Sequence, residues 1–282
     1  MSSSSLRRWA HVLAPVAAMV VLAGCSSGEQ PTTAAGSGSA TAEASVPGVT
    51  LSPALDHLHG LHLDADGAVL AGTHTGLIEI AADGTTRRVG ESDDDFMGLT
   101  GAPGTDHLYA SGHPGPSSSA PNPLGLIDST DGGQTWTPKS LTGEVDFHAL
   151  ATDGELLIGF DGITGLLTSS DGGVTWNAGA ALAAAALAVT EAGVWATTPD
   201  GLQHSTDGGR TFTGVPDAPP LALLSAGKDG SLWGIDIDGL AWRSRTGQTW
   251  EQRAVIGPAE AVLAIDFDTA YAATAQTLYP LN

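Results

Sequence analysis

The sequence has little cysteine and few basic residues. It contains one cysteine in 282 residues, which excludes a disulfide framework and a cysteine-rich zinc module. Ten basic residues stand against 31 acidic ones, and the formal net charge is −21. A chain this acidic repels phosphate backbones, so we expect no nucleic-acid partner.

The sequence is instead rich in glycine and small apolar residues. It has 38 glycines, 41% of its residues are hydrophobic, and only 15% are charged. Such a composition is typical of a turn-rich β protein with a hydrophobic core, and it differs from the Glu-, Lys- and Leu-rich composition of coiled coils. The sequence therefore predicts an all-β fold.

The N-terminal residues have the pattern of an export signal. Arg7 and Arg8 precede an apolar stretch at 12–23, which is followed by Gly24 and Cys25. This stretch is shorter than a typical transmembrane helix. This segment resembles a bacterial lipoprotein signal. The resemblance implies a signal peptide over residues 1–24, lipidation of Cys25, and an extracytoplasmic protein anchored to the cell membrane.

Residues 25–47 are mostly Ser, Thr, Ala and Gly without hydrophobic periodicity. A segment of this composition cannot bury enough apolar surface to fold by itself. We therefore predict a flexible tether between the lipid anchor and a folded domain over residues 48–282.

One motif recurs at a nearly fixed period. The pattern Ser-x-Asp-Gly-Gly-x-Thr-aromatic occurs three times, followed by a shortened copy, at residues 129–136, 169–176, 205–212 and 244–250. Its aromatic residues follow one another at intervals of 40, 36 and 38 residues. The Asp can accept backbone N–H groups in a tight turn, and glycine adopts positive φ without steric cost. We expect the aromatic residue on the following strand, packed between neighbouring sheets of a repeat architecture.

This motif resembles the Asp-box, also called the BNR repeat, of sialidase-like β-propellers. Residues 55–282 also resemble a group of secreted bacterial Asp-box proteins labelled glycosyl hydrolases, through the segments 59–61, 95–98, 111–114 and 121–125. The resemblance implies that Asp131, Asp171 and Asp207 are structural. It places their turns on the hairpin between the third and fourth strands of a blade.

The repeat predicts a six-bladed β-propeller, with seven blades as the alternative. Inner strands are expected to begin near His59, Met97, His148, Leu187, Leu221 and Val262. The last repeat has room for only three strands. Residues 48–52 are placed to supply its outer strand, which would close the ring and remove exposed sheet edges.

The start of each inner strand and the end of the next strand should surround one mouth of the central channel. Blades 1 to 3 have titratable side chains at these positions, whereas blades 4 to 6 have mostly Ala, Leu and Pro. The predicted ligand-binding residues are His57, His59, His74, Met97, His113 and His148. Because His57 and His59 are two residues apart, they should point to the same face of a strand.

Imidazole groups suit copper, zinc and nickel, and a thioether such as Met97 shifts the preference toward copper. His59, His74, His113 and His148 are therefore candidate ligands for copper or zinc. A polar small molecule or a glycan is the alternative ligand at this mouth.

Two other functions stay open. Glycoside hydrolysis needs two carboxylates, which Asp95 with Asp146 or Asp161 could supply. An exo-sialidase is disfavoured, because the resemblance implies three arginines at the site and none is expected at this mouth. The remaining alternative is a protein-binding adaptor that holds an envelope protein through its acidic rim.

Overall fold

The computed structural model describes residues 46–282, where every regular element is a β-strand. The predicted signal peptide, the lipidated Cys25 and nearly all of the predicted tether lie outside these residues. The described part of the chain contains no helix with the length and apolar character needed to cross a membrane. The prediction of an all-β fold is confirmed.

The strands form six four-stranded antiparallel sheets. The N-terminal strand is β1 (Val49–Thr50). Blade 1 consists of β2 (Leu58–Leu63), β3 (Val69–Thr73), β4 (Gly76–Ile80) and β5 (Thr86–Val89). Blade 2 consists of β6 (Asp95–Gly101), β7 (Leu108–His113), β8 (Leu126–Ser129) and β9 (Thr137–Ser140). Blade 3 consists of β10 (Ala149–Thr152), β11 (Leu157–Phe160), β12 (Leu166–Ser169) and β13 (Asn177–Ala178).

The second half of the ring repeats this order. Blade 4 consists of β14 (Ala186–Thr190), β15 (Gly193–Thr198), β16 (Gly201–Ser205) and β17 (Thr213–Gly214). Blade 5 consists of β18 (Leu221–Ala226), β19 (Leu232–Asp236), β20 (Leu240–Ser244) and β21 (Glu251–Val255). Blade 6 consists of β22 (Ala261–Asp266), β23 (Thr269–Thr274), β24 (Thr277–Leu281) and, as its outer strand, β1. The fold is therefore a six-bladed β-propeller, and the seven-bladed alternative is wrong.

Pairing of the two ends of the described chain closes the ring. β1 runs antiparallel to β24, with Val49 opposite Leu278 and Thr50 opposite Thr277. Leu51, which follows β1, is only 3% exposed and packs in the same hydrophobic cluster as Leu278. The predicted closure by residues 48–52 is confirmed.

Each full copy of the repeated motif forms a tight turn between the third and fourth strands of its blade, and we call these the SxDGG turns. In blade 2, Asp131 accepts the Thr135 N–H at 2.9 Å and the Thr135 hydroxyl at 2.6 Å. The Ser129 hydroxyl donates to the Asp131 carboxylate and accepts the Gly133 N–H, each at 2.8 Å. The same contacts recur in the turns of blades 3 and 4. These three aspartates have a structural role, as expected.

The aromatic residue of each turn lies just before the outer strand, and not on it as the sequence suggested. Trp136 precedes β9 and packs on Phe96, with a centroid distance of 4.8 Å. Trp176 precedes β13 and packs in the same way on Phe147. The turn extends to the aromatic residue, and the outer strand begins only after it. The aromatic side chain therefore packs into the core from the turn.

Candidate functional site

Three histidines meet at one end of blade 1. His57 directly precedes β2, His59 is the second residue of β2, and His74 directly follows β3. The His74 N–H donates to the His57 carbonyl at 3.3 Å. The imidazole centroids lie 4.7 to 5.1 Å apart. One ring nitrogen of each residue lies within 4.8 Å of the other two. Among residues 46–282, no other group of three or more His, Cys, Asp or Glu side chains has a geometry that could hold a metal ion.

A β-bulge shapes this three-histidine group. In the pairing of β2 with β3, Leu58 lies opposite Thr73 and Gly60 lies opposite Gly72, which leaves His59 as the extra residue. A bulge bends its strand and changes the direction of the side chain, and bulges are common next to binding sites. Here the extra residue is His59 itself, whose ring comes within reach of both His57 and His74.

Glu260 fixes the orientation of His57. Its Oε2 atom lies 2.9 Å from Nδ1 of His57 and accepts the Leu58 N–H at 3.1 Å. Its Oε1 atom accepts the Ala275 N–H at 2.8 Å. Because Nδ1 of His57 faces this carboxylate, Nε2 is the nitrogen left for a ligand. The sequence analysis missed Glu260, although an acidic residue directly before the inner strand β22 was the signal that could have found it.

His59 is the most enclosed member of the group. Its Nε2 atom is buried from solvent without a hydrogen-bond partner, and the same is true of Oδ1 of Asp95, 3.6 Å away. Burial is the main cause that lowers the pKa of His59; the Asp95 carboxylate opposes it, while His57 and His74 add to the lowering. The lowered pKa favours the neutral imidazole, which is the form that binds metals.

A second group forms between blades 2 and 3, and we call it the Asp146 group. Oδ2 of Asp146 lies 3.3 Å from Nε2 of His113 and 3.2 Å from Nε2 of His148. Nδ1 of His113 lies 2.7 Å from Oδ1 of Asn122, a residue that the sequence analysis did not single out. Oδ1 of Asp146 is buried and has no hydrogen-bond partner.

The predicted metal ligands thus fall into two groups. His59 and His74 belong to the three-histidine group, which His57 completes, whereas His113 and His148 face Asp146. The two groups are neighbours, because Asp95 lies opposite His113 in the pairing of β6 with β7.

The central channel opens beside these groups. A cavity of about 150 Å³ is lined on one side by His59, Met97, His148 and Glu260. Its other side is lined by small or apolar residues, among them Ala185, Ala186, Leu223 and Val262. The expected contrast between a polar and an apolar half is present, with Glu260 adding blade 6 to the polar half.

Asp161, the third candidate carboxylate, is held by its own turn. Its Oδ1 accepts the N–H groups of Ile163, Thr164 and Gly165 at 2.7 to 3.1 Å, and its Oδ2 accepts the Thr164 hydroxyl. Burial raises its pKa, but these hydrogen bonds outweigh burial and leave the pKa below its usual value. Asp95 and Asp146 each keep one unpartnered oxygen, whereas the oxygens of Asp161 are occupied.

The chain matches no protein-family model and no curated protein. Among solved structures it is similar to the GH74 enzyme of Niastella koreensis, with 18% identity and a TM-score of 0.58 over 81% of this chain and 42% of that one. The GH74 xyloglucanase of Xanthomonas campestris gives 19% identity and a TM-score of 0.53, covering 80% of this chain and 43% of that one. YCF48 bound to a D1 peptide gives 15% identity and a TM-score of 0.53, covering 86% of this chain and 97% of that one.

At such identities the similarity concerns the fold alone. The shared fold is the β-propeller. Because enzymes and binding proteins both use this fold, function has to be argued from the site.

Proposed function

We propose that this protein binds a divalent transition metal ion at the three-histidine group, through one ring nitrogen each of His57, His59 and His74. The observation that carries the proposal is that these nitrogens lie within 4.8 Å of one another. In addition, Nε2 of His59 is buried with no hydrogen-bond partner inside the protein. A buried polar atom without a partner is rare, and a metal ion would satisfy it.

The surroundings of the three histidines suit a cation. Histidine ligands commonly donate their second ring N–H to a carboxylate, as His57 does toward Glu260. Asp95 adds a further negative charge close to His59. Three imidazoles are a ligand set for zinc, copper or nickel, and Met97 on the channel wall favours copper over zinc.

Sites with three protein ligands keep a coordination position for water or for another molecule. Here the channel beside His59 is the space that such a molecule would use. The function we propose is therefore ligand binding at the polar half of this mouth, with the metal ion as the first ligand.

Calorimetric titration of the purified chain with Cu(II) and Zn(II) tests the proposal. We expect one ion per chain, a loss of this binding in His74→Ala, and roughly 10- to 100-fold weaker binding in Glu260→Gln, because Glu260 orients His57. His204→Ala is the matched control, since the His204 ring stacks on Trp195 in blade 4 and bonds the Ala192 carbonyl. If His74→Ala binds both ions as tightly as the unaltered chain, the proposal is wrong.

Glycoside hydrolysis is a second candidate function, favoured by the buried unpartnered oxygens of Asp95 and Asp146. Turnover of fluorogenic glycosides that is lost in Asp95→Asn would support it. Absence of both metal binding and turnover would leave the adaptor function, which a pull-down of envelope proteins with the chain would test.

A further inference from the structure

The turns between the second and third strands of blades 3, 4 and 5 lie at the mouth of the channel. We call them the mouth turns, and they comprise residues 161–165, 199–200 and 237–239. In these blades the second strand ends opposite the start of the inner strand, because β11 pairs antiparallel with β10, β15 with β14, and β19 with β18. The three turns therefore belong to the same end of the propeller as the histidines.

The mouth turns carry exposed apolar side chains. Among residues 46–282, three large apolar side chains are exposed: Ile163 at 89%, Ile237 at 74% and Val174 at 59%. Two of the three lie in mouth turns, in blades 3 and 5, and the mouth turn of blade 4 between them has the exposed Pro199. One exposed apolar residue is ordinary, but several on one surface mark an interaction site.

Both isoleucines are presented by turns that hydrogen bonds hold in place. The Asp161 carboxylate accepts three backbone N–H groups of its turn, including that of Ile163 at 2.9 Å. In blade 5, Oδ1 of Asp236 accepts the N–H groups of Asp238 and Leu240, each at 2.9 Å. The two side chains are therefore exposed on ordered backbone, and such preorganisation lowers the entropy cost of binding a partner.

The Lys, Arg, Asp and Glu charges of this surface have one sign. All Lys and Arg residues of the described chain lie in strands or in turns at the opposite end of a blade, and none lies in a mouth turn or in a connection between blades. By contrast, the mouth turns and the connection from blade 4 to blade 5 contain Asp161, Asp200, Asp217 and Asp238. Such a surface repels nucleic acids and anionic lipids and attracts Lys and Arg side chains.

We propose that the mouth turns of blades 3 to 5 form a docking surface for a protein segment that combines Lys or Arg with large apolar side chains. The apolar side chains of the partner cover Ile163 and Ile237, and its cations lie beside Asp200 and Asp238. This differs from attachment through an acidic rim alone, because two apolar anchors at fixed positions decide which segment fits. The surface does not depend on the proposed metal ion, since none of these residues belongs to the three-histidine group.

The test selects random peptides displayed on phage against the purified chain, in a buffer that contains EDTA. We expect the enriched peptides to carry a net positive charge and large apolar residues. Fluorescence polarisation then measures the affinity of an enriched peptide. Ile163→Ser and Ile237→Ser should each weaken binding by about tenfold or more, because the burial of one isoleucine is lost. Asp238→Asn should have a smaller effect, and added salt should weaken binding to the unaltered chain.

Val174→Ser is the matched control, because it removes an exposed apolar side chain from the SxDGG turn at the opposite end of blade 3. It should bind the peptide like the unaltered chain, and so should His74→Ala, which separates this proposal from the metal site. The two isoleucine variants should keep their Tm, since both side chains are exposed. Absence of any enriched peptide, enriched peptides without Lys or Arg, or unchanged affinity in both Ile163→Ser and Ile237→Ser would overturn the proposal.

Discussion

The aspartates of the SxDGG turns show how an exposed side chain can stabilise a fold. In blade 3, hydrogen bonds from the Thr175 hydroxyl, the Thr175 N–H and the Ser169 hydroxyl lower the pKa of Asp171 from 3.8 to about 2. These donors favour the ionised carboxylate in the folded chain only. The stabilisation is therefore complete above about pH 4 and is lost as the pH falls toward 2.

We predict that Asp171→Asn lowers the Tm at neutral pH, because an amide cannot accept the same set of donors. The difference between the variant and the unaltered chain should shrink as the pH falls from 4 to 2. Thermal unfolding followed by circular dichroism across this range measures it. Asp200→Asn, in the exposed turn between β15 and β16 of blade 4, should leave the Tm unchanged. Equal Tm values for Asp171→Asn and the unaltered chain at neutral pH would contradict the prediction.

Some residues of the candidate site could be predicted from the sequence and others could not. The positions of His57, His59 and His74 followed from the strand pattern. Glu260 was missed although it stands directly before an inner strand, and Asn122 was missed because one amide in a loop carries no periodic signal. The turning of His113 and His148 toward Asp146 depends on side-chain torsions across two blades, which the sequence pattern does not encode.

Among the elements, the second glycine of each SxDGG turn has a packing role. Gly173 has a φ of +82°, and a Cβ there would lie 2.2 Å from Cδ2 of Leu126 in the preceding blade. Gly133 and Gly209 make the corresponding close approaches to Leu77 and Ile158. The turn is thus both the end of one sheet and a contact with its neighbour.

We predict that Gly173→Ala destabilises the protein by about 1–3 kcal/mol, the usual cost of forcing a side chain into a strained backbone conformation. Urea unfolding measures the difference. Gly214→Ala is the matched control, since the nearest atom to its Cβ would lie 3.7 Å away and its φ is unremarkable. Similar losses in the two variants would show that the blade contact is unimportant.

The inner strands begin close to the predicted residues, at Leu58, Asp95, Ala149, Ala186, Leu221 and Ala261. This agreement arises because one motif repeats and each blade is built locally. The bulges in β2 and β6 were not predicted, since an extra residue in one strand leaves the alternation of apolar and polar residues nearly unchanged. These bulges lie at His59 and next to Asp95, where the candidate site is formed.

For the whole molecule, the predicted lipid anchor is open to a direct test. We predict that the full chain, produced in a bacterium that processes lipoproteins, incorporates labelled palmitate at Cys25. Cys25→Ser should abolish the label and release the protein into the soluble fraction, because stable membrane attachment needs the acyl chains. Ser26→Ala is the control and should stay labelled. Membrane association of an unlabelled Cys25→Ser chain would contradict the prediction.

The pairing of β1 with β24 also has a consequence for biosynthesis. A ribosome makes Val49 long before Leu278, yet the two lie side by side in one sheet. β1 therefore stays without its partner strand while the blades between it and β24 are made. Translation that stops before β24 leaves β1 without its partner, so synthesis of β24 is itself the step that allows the ring to close.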